Sequence, residues 1–159
     1  MPTGFLWLPV AALGAHLFEE FVWPGGFAKW YRQYPPGHIA PVSPVFLFLI
    51  NVAFVGFALL PPLLGASPRG LATWLTVAAM AAANAVFHLI AVLRTHTYSP
   101  GVVTGAAFYL PLAFIGGAYL TRLGLVSLGT VLEAIFIGTA YHIWSAWTHG
   151  RQPLAHGAS

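Results

Sequence analysis

The sequence predicts an all-α, polytopic membrane protein, a bundle of about five transmembrane helices formed by one domain over residues 1–150. Three observations lead there. Apolar residues make up 58% of the 159 and charged residues only 6%, whereas soluble domains are about one quarter charged. Apolar runs near the ~20 residues that cross a bilayer recur along the chain. Ser43-Pro44, Ser67-Pro68 and Ser99-Pro100 stand before three of those runs, and serine followed by proline supplies an N-cap and a first helical residue.

Segment one covers about residues 5–23 and stops at Pro24-Gly25-Gly26, with Trp23, Trp30 and Tyr31 as interfacial anchors. It lacks a basic start and a small-x-small cleavage site, so it is expected to remain as an uncleaved anchor. The loop that follows, to about Pro41, carries Lys29, Arg32 and His38 beside Pro35-Pro36 and is expected on the membrane surface. Segment two runs from Ser43-Pro44 to about Leu64, with Asn51 inside it and Pro61-Pro62 to bend or end it. Segment three, about residues 71–93, has an Ala-rich middle suited to close helix packing. Segment four, about residues 101–120, contains Gly101 and Gly105 as a small-xxx-small pair, and Pro111 with Gly116-Gly117 should make it irregular. Segment five, about residues 125–147, includes Glu133, Tyr141 and His142 and precedes a polar tail, 151–159, expected to be disordered.

Composition excludes several classes of function. There is no cysteine, hence no disulfide, thiol nucleophile or thiolate metal site, and His, Glu, Asn and Tyr remain as ligands. The net charge of +3 comes from six scattered Lys and Arg without a basic run, so nucleic acid is not an expected partner. Lys29, Arg32, Arg94 and Arg151 fall on the first-loop side and Arg69 and Arg122 on the other. The positive-inside rule then puts the N-terminus out and the C-terminus in.

Two of the three acidic residues, Glu19 and Glu20, lie in segment one beside His16. Spacings of i, i+3 and i+4 put the three within an arc of ~100° on a helix. A charge near the bilayer centre costs ~2.5–3.5 kcal/mol, so such groups are normally paired, liganded or in a wet cavity. The bland alternative is that the glutamates mark the water-facing end of the helix and His16 bonds a neighbour. Alternating helix direction brings Asn84 and His88, Tyr98, Ser99 and Thr104, and Tyr141 and His142 into the same leaflet, a layer ~5–12 Å below the first-loop surface. Asn51 could reach it from deeper. Glu133 lies toward the other leaflet, where a protonated carboxyl held by Thr or Tyr is as reasonable as a ligand.

His16-x-x-Glu19-Glu20, then Asn84-x-x-x-His88, then Tyr98-Ser99-Pro100-Gly101-x-x-Thr104 resembles the family of small bacterial integral membrane proteins named for its H-x-x-E-E motif. The resemblance covers nearly the whole chain. It implies a bacterial inner-membrane protein with a membrane-embedded, enzyme-like site, and it supplies no substrate.

His and carboxylate ligands at these spacings suit a divalent metal, zinc or iron, held by His16, Glu19, His88 and His142. Glu20, Glu19, Asn84, Arg94 and Tyr98 are the candidate catalytic groups, and Asn51, Thr104 and Tyr141 the supporting ones. Either glutamate could be the base and the other the ligand. The reaction would be metal-assisted hydrolysis or an oxygen-dependent step on a hydrophobic small molecule reaching the site from membrane lipid, and a homo-oligomer is compatible with the pattern. Two alternatives remain open: a metal-free His/Glu isomerase of a sterol, isoprenoid or fatty substrate, and a proton or cation transporter, although no inverted repeat is visible.

Overall fold

A computed structural model of the chain describes residues 2–33 and 44–149, and every described element is helical. A 3-10 turn, Thr3–Trp7, leads into α1 (Leu8–Phe21). α2 (Phe27–Gln33) is a short arm, followed by α3 (Pro44–Leu64), α4 (Pro68–Thr95), α5 (Val102–Arg122) and α6 (Leu128–His149).

Three of these helices are long and apolar enough to cross a membrane: α3 and α5 with 21 residues each and α4 with 28, against the ~20 residues that a span requires. The expected five apolar segments all form helices, but α1 has 14 residues and the apolar part of α6, Leu128–Trp144, is shorter than a full span. Outward faces are greasy: Phe48, Leu63, Phe114 and Phe136 are each more than 60% exposed, which suits lipid rather than water. The first loop beyond Gln33, Ser43 and the polar tail lie outside the described residues.

α4 is the central post. Ser67 caps it as the sequence predicts, its Oγ accepting from the Gly70 N–H at 3.1 Å, with Pro68 next in the first turn. The helix ends at His96, whose φ of +53° takes the left-handed conformation. One core cluster joins Leu6, Leu71, Trp74, Leu75, Leu120 and Ala134. In it the indole of Trp74 donates to the Phe5 carbonyl at 3.1 Å and stacks on the Phe5 ring at 4.6 Å. A second cluster joins Leu13, Ala58, Val77, Ala81, Ala85 and Tyr109. Small residues set the helix spacing: a Cβ on Gly138 of α6 would come within 2.7 Å of Ala79 Cβ on α4, the close approach that alanine and glycine permit.

α5 is irregular where the sequence placed a proline. Pro111 has no N–H to donate and crowds the carbonyl four residues back; the strain is taken up by π-helical turns on either side, Gly105–Tyr109 and Leu112–Gly116. Gly116 closes the second of them directly against the Trp74 ring, with no room for a side chain. Gly116→Ala is therefore expected to lower stability by about 1–3 kcal/mol through overpacking. Thermal unfolding in detergent would measure this, and Trp74→Phe in the same chain should restore part of the loss because it removes the ring edge that collides.

Candidate functional site

α1 turns His16, Glu19 and Glu20 inward, and all three are buried. Adjacent residues on a helix point ~100° apart, so the two glutamates reach different neighbours.

Glu19 faces the beginning of α5. Its Oε1 accepts from Tyr98 Oη at 2.6 Å and from the Val103 N–H at 3.1 Å; its Oε2 accepts from the Thr104 N–H at 2.6 Å and the Thr104 hydroxyl at 2.5 Å. The carboxylate thus caps α5 from another helix, where free N–H groups and the helix dipole favour an anion. Burial, and after it the Glu19 bond, pushes the Tyr98 phenol above its usual range, so it stays a donor. This corrects two expectations. Glu19 is not placed as a metal ligand, because both of its oxygens are held by α5 and Tyr98. Ser99 does not cap α5: the N-cap position is Gly101, at φ +101°, and makes no side-chain cap.

Glu20 faces the histidines. Its Oε1 lies 3.4 Å from His16 Nε2 and 3.2 Å from His88 Nε2, and one ligand atom from each of the three residues falls within 4.8 Å of the others. The far nitrogens are anchored: His16 Nδ1 is 3.0 Å from Thr104 Oγ1, and His88 Nδ1 is 2.8 Å from Ser99 Oγ. Since the Thr104 hydroxyl donates to Glu19, its oxygen accepts from His16, which puts the His16 proton on Nδ1 and leaves a lone pair on Nε2. Asn84 Nδ2 donates to that Nε2 at 2.9 Å. His88 Nε2 makes no hydrogen bond despite its closeness to Glu20.

The rings are 5.2 Å apart, edge to face, and Gly101 packs against both; a Cβ there would lie 2.7 Å from His16 Cε1 and 2.9 Å from His88 Cε1. Phe27 and Trp30 of α2 cover His88, with centroids at 5.7 and 6.1 Å. The pattern of the sequence did not mark Tyr109, which is 1% exposed with its ring 4.5 Å from His16, nor the arm of α2. Tyr109 had no signal that could have found it, since an aromatic residue in an apolar run reads as core; Trp30 was read from the sequence as an interfacial anchor, and the structure lays its ring on His88.

Other candidates stand apart. Asn51 bonds the Leu47 carbonyl of its own helix at 2.8 Å and borders an apolar cavity of about 780 Å³ with Gly14, Leu17 and Phe18, on the face of α1 opposite His16; it does not reach the polar layer. Arg94 is exposed in the last turn of α4 and makes no ion pair among the described residues, so it is not brought to the histidines. His142 is tied to the Met80 backbone of α4 and is outside the group of three that could hold an ion. The Tyr141 side chain lies outside the described residues. Glu133 lies beside Thr73, Thr76 and Thr130 at a small cavity of about 190 Å³ far from the histidines.

The two glutamates should respond differently to loss of charge. Glu19→Gln replaces an acceptor of four hydrogen bonds by a group with one acceptor oxygen and two N–H donors, and should cost about 2–3 kcal/mol. Glu20→Gln leaves the helix cap intact and touches only the two imidazole contacts, and should cost less than Glu19→Gln. Melting of both variants in one detergent checks the contrast; equal losses would contradict the division of roles.

No curated protein and no solved structure matches this chain. A family model described as a protein of unknown function with HXXEE motif matches residues 7–116, a span that contains His16, Glu19, Glu20, Asn84, His88, Tyr98, Thr104 and Tyr109 and leaves out α6. The chain belongs to the HXXEE-motif family.

Proposed function

We propose that the protein is a membrane-embedded enzyme in which His16, His88 and Glu20 hold one divalent metal ion, zinc or iron, and that it acts on a lipid-soluble substrate. The observation that carries this reading is the meeting of two Nε2 atoms and one carboxylate oxygen, all buried, with no hydrogen bond from His88 Nε2 to the oxygen 3.2 Å away. In this reading His88, like His16, donates outward through Nδ1, so that the groups facing each other are lone pairs, which repel unless a cation lies between them. Metal–nitrogen and metal–oxygen bonds of ~2.0–2.1 Å in a tetrahedron put ligand atoms ~3.3 Å apart; the two histidine–carboxylate distances are 3.4 and 3.2 Å, and the widest separation in the group, up to 4.8 Å, would have to close on a bound ion.

Two histidines and one carboxylate leave a position for water or substrate, the arrangement of catalytic zinc and of non-haem iron sites. Thr104 and Ser99 would orient the imidazoles through their second nitrogens. Gly101, Phe27 and Trp30 seal the centre from bulk water, and α1 lies among helices whose outer faces suit lipid. The chemistry supported is metal-assisted hydrolysis or oxygen-dependent modification. In this reading α1 and α6 span the bilayer with the other three long segments, and the N-terminus is outside.

One observation favours a second reading. The Asn84 amide already donates to His16 Nε2, and a histidine so engaged beside a carboxylate could move protons without a metal.

Elemental analysis separates the two. Detergent-purified protein should carry one zinc or iron ion per chain, and His16→Ala and His88→Ala should each reduce metal content at least about tenfold. Metal at background in the native protein would replace the metalloenzyme by the acid–base isomerase. Cation flux into liposomes that Glu20→Gln abolishes would replace both by transport.

The topology has its own check, because the native chain has no cysteine. Thiols introduced at Gly37 and Ala158 should both be protected from an impermeant reagent applied outside. Labelling of both reverses the orientation, and labelling of only one refutes five spans.

A further inference from the structure

Among the described residues, two buried side-chain polar atoms have no hydrogen-bond partner: His88 Nε2 and Tyr109 Oη. Both belong to residues that border the same centre. Tyr109 packs its ring on His16 at 4.5 Å with a tilt of 33°, and its hydroxyl is within electrostatic range of Glu20. Phenylalanine would fill the same apolar space, beside Ala12, Leu13, Val77 and Ala81, without burying an O–H that lacks an acceptor, which is a costly arrangement. The backbone that presents the ring is also unusual: Tyr109 closes the π-helical turn Gly105–Tyr109, and single π turns in α-helices are frequent at functional sites.

We propose that Tyr109 donates a hydrogen bond to an oxygen atom bound at the open position of the centre, either of water or of the carbonyl or carboxylate head of a substrate. This rests on the metal-centre reading. The hydroxyl lacks a protein acceptor because its acceptor is the exogenous ligand, and its role is to hold that oxygen and stabilise negative charge on it. The substrate class follows: an apolar molecule with an oxygen-bearing head, small enough at that end to fit between His16, His88 and Tyr109.

The test uses full-length protein loaded with cobalt(II), whose visible bands report ligand exchange. Formate, a small oxygen ligand, and imidazole, which once bound offers no acceptor, are titrated into native protein and Tyr109→Phe. The expected result is unchanged cobalt stoichiometry, formate binding weakened about tenfold or more in the variant, and imidazole binding unchanged. A change in the cobalt spectrum before any formate is added would show that bound water is the acceptor; no such change, with weaker formate binding, would assign the bond to the substrate head. Metal-free Tyr109→Phe should melt at or above the temperature of the native protein, since it removes an unpaired group. Equal formate affinity in the two proteins overturns the proposal, as does a clear drop in metal-free melting temperature, which would reveal a structural partner. Failure of native protein to bind cobalt overturns the metal-centre reading itself and this inference with it, whereas cobalt binding without formate binding removes the open position alone.

Discussion

The carboxylate of Glu19 fastens α1 to the first turn of α5, and the geometry of the site depends on that contact. Four donors converge on it, two of them backbone amides that begin a helix. No side chain of α5 caps that helix, so an anion from elsewhere in the chain replaces a local serine or aspartate. In a low-dielectric surrounding such charge-assisted bonds are strong, and an uncapped helix start is correspondingly unfavourable. The same contact sets the Thr104 hydroxyl, which fixes the proton of His16 on Nδ1 and leaves Nε2 toward Glu20. A structural cap and the tautomer of a histidine are thereby linked through a single threonine oxygen.

The two adjacent glutamates divide structure from chemistry because a helix turns ~100° between them. Glu19 has every lone-pair direction engaged; Glu20 meets only imidazole nitrogens. A buried carboxylate that meets only imidazole nitrogens is a good candidate for binding a cation. The approach of α5 needs Gly101 and Gly105, whose missing side chains let the chain lie against the two histidines and against Ala85. The alanine-rich stretch of α4 and Gly138 of α6 do the same on the other side of the post.

The irregular backbone of α5 and its proline belong to the same design. A regular helix through Pro111 would meet the carbonyl of Ala107; the π turns that relieve this also present Tyr109 to His16 and Gly116 to Trp74. Irregular backbone at membrane depth is tolerated where it packs on protein, and here it packs on α1 and α4.

Helix content, the Ser67 cap, the irregular α5 and the gathering of His16, Asn84, His88, Tyr98 and Thr104 in one layer were legible in the sequence. They follow from hydrophobic run length, proline chemistry and the fixed rise of 1.5 Å per residue, which are local quantities. Depth along a membrane normal is nearly one-dimensional, so sequence position determines it. Rotation about each helix axis and the identity of its neighbours are not. That is why the roles of Glu19 and Glu20 stayed open until α5 was seen to offer its amides to one of them. It is also why Ser99, read as a cap for its own helix, proved to hold His88 instead, and why Asn51, expected to reach the layer from deeper, faces an apolar cavity on the other side of α1. Tyr109 had no pattern of its own and Trp30 read as an interfacial anchor; only packing distinguishes such rings from ones laid on a histidine.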